Sequence, residues 1–189
     1  FTVIVPSDEF ATKALIKQAA YHKGPVYVRT GRSKAPILYN EKTAFQIGKG
    51  ITVRSGKDIT LVANGLMVFE ALEAAEILKG QGIDASVIDS HTIKPLDKEL
   101  LLAEARKTGA FVVAEEHLTF GGLGSTVSQL VSQNFPIPVE FVGVQDTYAE
   151  SGAPEELFKK YGLTAENIIS AAKKAISNFK LKEGAPIGC

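Results

Sequence analysis

The feature that most constrains the fold is a regular alternation of short apolar runs with helical patterns from Gly50 onward. Each apolar run is about as long as a buried strand, and the segments between them carry apolar residues at helical spacing. Strands that alternate with helices indicate a parallel sheet with helices on both faces, which makes a three-layer αβα sandwich. The predicted strands are Ile51–Val53, Thr60–Ala63, Asp84–Ile88, Ala110–Ala114 and Val139–Val144.

One of these strands cannot be parallel to the others. Only Arg54–Asp58 joins Ile51–Val53 to the next strand, and a parallel connection needs a crossover of a dozen or more residues. The sequence therefore predicts a five-stranded, mostly parallel sheet in which Ile51–Val53 is an antiparallel edge strand.

A smaller unit precedes this domain. Phe1–Val5 and Pro25–Arg29 have strand patterns, and a helical pattern ending near Tyr21 lies between them, which makes one βαβ unit. Residues 31–50, with Gly, Pro and Asn, are predicted to be a linker. We thus expect a βαβ unit plus linker at 1–48, the main domain at 49–180 and a loose tail at 181–189. A strand pattern from Thr2 onward suggests a fragment of a longer protein.

Composition argues against several classes of function. Lys+Arg and Asp+Glu both number 21, so there is no net charge to favour nucleic acid or an anionic membrane surface. No apolar run approaches the ~20 residues that span a bilayer. The single cysteine, Cys189, excludes an internal disulfide. These features predict a cytoplasmic protein.

The segment Val112–Val127 places charged residues at the end of a strand. Glu115, Glu116 and His117 follow the apolar run, and a glycine-rich turn then leads into a helix. Ligands and partners of open α/β sheets gather at the carboxyl ends of strands. A metal site fits the spacing poorly, and paired carboxylates could serve acid–base chemistry. We favour an interface with another subunit or domain.

Two further strand ends carry candidate residues. Arg29 and Arg32, on either side of Thr30-Gly31, suit bidentate capture of a phosphate or carboxylate, but spacing alone favours surface arginines that form salt bridges. His91 and Asp89 could be catalytic partners. No nucleophile motif lies nearby, and a structural loop that touches a partner chain is the preferred interpretation. Asn64-Gly65 is interpreted as a tight crossover.

Several segments together resemble a known family. Along nearly the whole chain, to about Phe179, the sequence is similar to the C-terminal part of transketolases, thiamine-diphosphate enzymes that move a two-carbon ketol unit between sugar phosphates. The resemblance is carried, in order, by VPSD, GPVYVRTGR, DITLVANG, VIDSHTIKPLD, VVAEEHLTFGGLG, VGVQDTYAESG and YGLTAENI.

The resemblance implies which domains of the complete enzyme this chain supplies. Residues 1–32 would be the end of the pyrimidine-binding domain, and the remainder would be the C-terminal domain that helps the family form homodimers. Arg32 stands where the family has the arginine that clamps the substrate phosphate, whereas Gly31 departs from a serine frequent there. Thiamine diphosphate and Mg²⁺ (or Ca²⁺) would be held mainly by residues of an N-terminal part or subunit. The chain would thus be inactive alone and belong to the pentose phosphate pathway when complete.

Other assignments stay open at this point. Deoxyxylulose-phosphate synthase has the same C-terminal outline, but its typical Tyr-Pro-Arg-Gly pattern is missing at Val28–Arg32. The β subunit of a 2-oxo-acid dehydrogenase would not need a phosphate-clamping arginine. A non-catalytic regulatory or assembly module is the third alternative. Truncation and a natural split subunit are both compatible with the sequence, which does not specify the sugar-phosphate preference.

Overall fold

The computed structural model describes residues 1–31 and 34–183. The strands are β1 (Thr2–Ile4), β2 (Val26–Val28), β3 (Ile51–Arg54), β4 (Ile59–Ala63), β5 (Ala85–Asp89), β6 (Thr92–Lys94), β7 (Phe111–Leu118) and β8 (Val139–Val144). The helices are α1 (Glu9–Tyr21), α2 (Met67–Gly80), α3 (Lys98–Thr108), α4 (Leu123–Asn134), α5 (Pro154–Lys160) and α6 (Ala165–Glu183).

The first unit, residues 1–31, is the predicted βαβ unit. Strands β1 and β2 are parallel, with Thr2 opposite Val26. Helix α1 begins after Asp8, whose carboxylate accepts a hydrogen bond from the Ala11 N–H at 2.8 Å and so satisfies an otherwise free donor of the first turn. Its small core centres on Ile4 and is completed by side chains of the linker, the segment between β2 and β3. The first unit therefore depends on that linker for burial.

Strand β6 corrects the prediction that the segment from Asp89 to Asp97 is a loop. Its residues pair antiparallel with β1, so the small sheet has the order β2-β1-β6 and includes a strand from the second domain, residues 51–183. The strand is only three residues long, and its hydrogen-bond partners lie far away in the sequence. Neither property produces a recognisable strand pattern in the local sequence. The linker itself, among its described residues, has no helix or strand, as predicted.

The large sheet confirms the predicted architecture. Its order is β3-β5-β4-β7-β8, with β3 antiparallel to β5 and every other pair parallel. Alternate residues of β4 face opposite layers: Leu61 packs in the core under α2 and α6, while Val62 packs under α3 and α4. Both layers are buried, which explains why the central strands are continuous apolar runs.

Helix α6 continues to Glu183 and therefore enters the segment that was predicted to be a loose tail from residue 181. Helical spacing of apolar residues ends before this point, so the sequence pattern underestimates the helix length. Within the described ranges, no helix is both long and apolar enough to cross a membrane.

Candidate functional site

A cleft of about 740 Å³ lies between the first unit and the second domain. The ends of β1 and β2 form one wall, and the ends of β4 and β7 form the other. Carboxyl ends of parallel strands from two sheets thus meet at one opening, which is where α/β proteins bind ligands. Its polar lining residues include Ser7, Lys13, Arg29, Thr30, Lys34, Asn64 and Glu116.

Arg29 stands at the end of β2 on the first wall. Its backbone N–H donates to the Ile4 carbonyl at 2.9 Å and extends the pairing of β1 with β2. Its guanidinium atom Nη2 is buried and has no hydrogen-bond partner among the described residues. A buried donor without a partner is costly, so this nitrogen is suited to an acceptor on a ligand or partner.

Asn64 stands at the end of β4 on the second wall. The residue is 1% exposed, and neither atom of its side-chain amide has a partner among residues 1–31 and 34–183. Gly65 follows with φ of +55°, a conformation that glycine adopts readily, and turns the chain into α2. The Asn64-Gly65 crossover was predicted, but the free amide was missed because burial without a partner leaves no sequence signal.

Glu115 has a role inside the chain. Its two carboxylate oxygens accept hydrogen bonds from the N–H groups of Leu123 and Gly124, each at 2.9 Å, and it is 2% exposed. A Cβ atom at Gly122 would overlap this carboxylate. The glycine-rich turn therefore lets a buried anion satisfy the first turn of α4, and Glu115 presents no free surface for the predicted interface.

Glu116 and His117 point to different surroundings. Glu116 reaches the cleft, where desolvation raises the pKa of its carboxyl group and the positive charge of Arg29 opposes that rise. The His117 side chain is 39% exposed, with Nδ1 at 2.9 Å from the Leu118 carbonyl oxygen. No group of three or more potential metal ligands exists among the described residues. An interface role of these two residues stays a prediction.

His91 is fully buried at the junction of the first unit and the second domain, which differs from the predicted surface contact with a partner. Its Nδ1 lies 3.1 Å from the Thr92 hydroxyl, and its ring meets the Phe45 ring edge-on at 5.7 Å between centroids. Burial lowers the pKa of His91 to about 4. A neutral histidine enclosed in this way has no surface to offer another chain.

Asp89 forms the centre of a buried network rather than a pair with His91. One carboxylate oxygen, Oδ2, accepts hydrogen bonds from the Ser7 hydroxyl at 2.7 Å and the Tyr39 hydroxyl at 2.8 Å. Burial raises the pKa of Asp89 to about 7, and the nearby charge of Asp8 acts in the same direction. The network joins β5, the first unit and the linker.

Arg32, the predicted phosphate-binding residue, lies outside the described residues. Gly31, immediately before it, and Lys34, two residues after it, both line the cleft. A Cβ atom added to Gly31 would be 3.5 Å from Leu66 and 3.9 Å from the Glu116 carboxylate on the opposite wall. Gly31 and Lys34, which the structure describes, therefore both lie beside the cleft.

The family of the chain follows from comparison with known proteins. The family model for transketolase, C-terminal domain, matches residues 48–168, which is more than half of the chain. The chain belongs to the transketolase C-terminal domain family.

Individual relatives agree with this assignment. A subunit of 6-deoxy-6-sulfo-D-fructose transketolase from Clostridium sp. strain MSTE9 is 45% identical over 95% of this chain and 56% of the relative. A 1-deoxy-D-xylulose-5-phosphate synthase from Heliobacterium modesticaldum is 38% identical over 91% of this chain and 27% of its own length. A solved split-gene transketolase, described as an inactive β4 tetramer, is 47% identical with a TM-score of 0.91, over 94% of this chain and 58% of that one.

The chain spans about half the length of the transketolase-type relatives named here. The likeness therefore shows that this chain corresponds to the C-terminal part of a transketolase.

Proposed function

We propose that this chain works with an N-terminal transketolase part or subunit to transfer a two-carbon ketol unit between sugar phosphates. The observation that carries the proposal is the cleft at the carboxyl ends of β2 and β4, with residues on both sides of Arg32 in its lining. Similarity over nearly the whole chain to a transketolase subunit supports it. In this proposal the complete enzyme is a homodimer of such pairs in the cytoplasm, within the pentose phosphate pathway.

The proposal assigns thiamine diphosphate and Mg²⁺ (or Ca²⁺) to the other part of the enzyme. Among the described residues, no group of three or more His, Cys, Asp or Glu side chains could hold a metal ion. When bound, the cofactor stores the two-carbon unit between donor and acceptor. We expect calorimetric titration of this chain alone with thiamine diphosphate and Mg²⁺ to give no binding at micromolar concentrations. Micromolar binding would contradict the assignment.

The contribution of this chain is to hold the substrate by its terminal anion. A guanidinium forms two charge-assisted hydrogen bonds with a phosphate, and that contact lies away from the reacting carbon. Binding energy from such a remote group orients the reacting carbon. The name of the Clostridium relative indicates a substrate with a sulfonate at the position of the sugar phosphate. A guanidinium can donate hydrogen bonds to either anion.

The Arg32→Ala variant tests this role in the enzyme reconstituted with its N-terminal partner. We expect KM for sugar phosphates to rise about ten- to a hundredfold, because a charge-assisted contact contributes roughly 1.5–3 kcal/mol. The kcat value and the kinetics of non-phosphorylated acceptors should change little. Arg32→Lys should recover part of the loss, since an ammonium keeps the charge without the planar fork.

A matched control and two substrate arms sharpen the test. Arg106 lies on α3, where its guanidinium stacks over Phe135 at 5.8 Å, and Arg106→Ala should leave KM unchanged. Parallel assays with a sulfonated and a phosphorylated ketose show which anion the enzyme prefers. An equal loss on phosphorylated and non-phosphorylated substrates after Arg32→Ala would contradict phosphate binding.

A second candidate function is deoxyxylulose-phosphate synthesis, favoured by the 38% identity to the Heliobacterium enzyme. The missing Tyr-Pro-Arg-Gly pattern at Val28–Arg32 argues against it. Assays of the reconstituted enzyme with pyruvate as donor, against a ketose phosphate as donor, separate the two functions.

A further inference from the structure

We propose that the cleft binds a zwitterionic amino acid with a carboxamide side chain, such as glutamine, between Arg29, Asn64 and Glu116. The inference goes beyond the proposed function, because it involves neither a phosphate nor the N-terminal part of the enzyme. Arg29 belongs to the wall formed by the first unit, and Asn64 and Glu116 belong to the wall formed by the second domain. All three residues lie in the described ranges.

The buried amide of Asn64 is the strongest indication of a ligand. The residue is 1% exposed, and neither Oδ1 nor Nδ2 has a hydrogen-bond partner among residues 1–31 and 34–183. A buried amide that lacks both an acceptor and a donor lowers stability. The carboxamide of a ligand carries one acceptor and one donor side by side, so it can exchange two hydrogen bonds with this amide.

Charges of opposite sign lie on the two walls of the cleft. Desolvation raises the pKa of the Glu116 carboxyl group and the charge of Arg29 opposes the rise, so the two groups interact. Within the part of the chain that the structure describes, these two side chains form no ion pair with each other. A carboxylate of the ligand can accept hydrogen bonds from the guanidinium of Arg29, and an ammonium group can donate to the carboxylate of Glu116.

The balance of charge favours a zwitterion over a simple anion. The other charged residues described in the lining are two acids and two bases: Asp8, Glu9, Lys13 and Lys34. An anion would therefore meet the carboxylate of Glu116 without a compensating excess of positive charge. An uncharged polyol could satisfy the amide of Asn64, but it would leave Arg29 and Glu116 without a charged partner.

The position of the site implies that the ligand joins two parts of the chain. The cleft of about 740 Å³ is within the range of about 300–1,000 Å³ that small-molecule sites have. The Asn64 amide and Arg29 Nη2 are shielded from solvent, so the walls must part slightly to admit the ligand. Once bound between Arg29 and Asn64, the ligand holds the first unit against the second domain and stabilises the chain.

Calorimetric titration of the chain with three ligands tests each contact. L-Glutamine should bind with a dissociation constant on the order of 0.1 mM, as expected for a ligand of this size. L-Norleucine lacks the carboxamide and glutaramic acid lacks the ammonium group, and each should bind at least tenfold more weakly. Equal binding of glutamine and norleucine, or binding of the polyol ribitol in place of glutamine, would overturn the inference.

Variants assign the contacts to residues. Asn64→Leu should abolish the preference for glutamine over norleucine and raise the Tm of the ligand-free chain by about 2–4 °C, because an unpartnered amide is removed. Arg29→Met should weaken the binding of all three ligands about tenfold. The control Asn178→Leu, at an exposed position of α6, should leave binding unchanged. A retained glutamine preference in Asn64→Leu, or a lower Tm of that variant, would contradict the proposed site.

Discussion

Two separately buried residues, Asp89 and His91, should make the stability of the chain depend on pH in a specific way. Burial raises the pKa of Asp89 from 3.8 to about 7 and lowers the pKa of His91 from 6.5 to about 4. At about 1.4 kcal/mol per unit, these shifts correspond to about 4 and about 3 kcal/mol of folding free energy. Asp8 and Tyr39 face Asp89, and a backbone hydrogen bond and the charge of Asp97 oppose the lowering of the His91 pKa.

The two contributions have opposite signs. Asp89 binds its proton more tightly when folded, so its stabilising contribution is complete below about pH 4 and is lost as the pH rises through about 7. His91 binds its proton less tightly when folded, so its contribution is complete above about pH 6.5 and is lost as the pH falls through about 4. Between these limits, the changes in unfolding free energy with pH that the two residues cause largely cancel in the wild-type chain.

Single substitutions should reveal how each residue makes the free energy of unfolding depend on pH. With Asp89→Asn, the free energy of unfolding should increase by about 3 kcal/mol from pH 4 to 6.5, because the contribution of His91 is no longer opposed by that of Asp89. With His91→Phe, it should decrease by about 4 kcal/mol from pH 4 to 7. Urea unfolding followed by circular dichroism is the suitable assay, since the chain has no tryptophan.

The control is Asp146→Asn, which removes an exposed carboxylate beyond β8. Its curve of unfolding free energy against pH should run parallel to that of the wild type. The unfolding free energies of Asp89→Asn and His91→Phe could also follow the wild-type pH dependence from pH 4 to 8. In that case the two buried side chains do not titrate as described, and the reasoning is refuted.

Two other predictions concern the end of β7. Glu115→Gln should lower the free energy of unfolding by about 1.5–3 kcal/mol, because one of its two hydrogen bonds to the first turn of α4 is lost, and chemical denaturation measures it. A loss below 0.5 kcal/mol would contradict this capping role. Glu116→Lys should weaken association with copies of the chain or its partner in sedimentation experiments and leave circular dichroism unchanged. An unaltered sedimentation profile would remove the interface role.

The main sheet was predictable because its signals are local. Buried runs such as Thr60–Ala63 are continuous in sequence, and the short Arg54–Asp58 connection alone excludes a parallel β3. Strand β6 and the end of α6 were not predictable in the same way. The three residues of β6 are strand only because β1 lies beside them, and that pairing joins residues far apart in the chain.

The site was predictable only in part. Arg32 emerged from the resemblance rather than from spacing, and it stays a prediction. The amide of Asn64 and the carboxylate of Asp89 became candidates only once burial and distances were known, because a missing or distant hydrogen-bond partner is a property of three-dimensional packing. Glu115 illustrates the reverse case, since its charge suggested a surface role while its geometry satisfies a helix terminus.

The pairing of β6, a strand of the second domain, with β1 of the first unit has a consequence for protein engineering. A chimera that joins the first unit of one relative to the second domain of another, with the junction in the linker, would place a foreign β6 against β1. The side chains of Ile4 and Thr92 would then no longer derive from the same parent. Successful recombination within this family should therefore carry β1 and β6 as one block, although residues 5–91 separate them in the sequence.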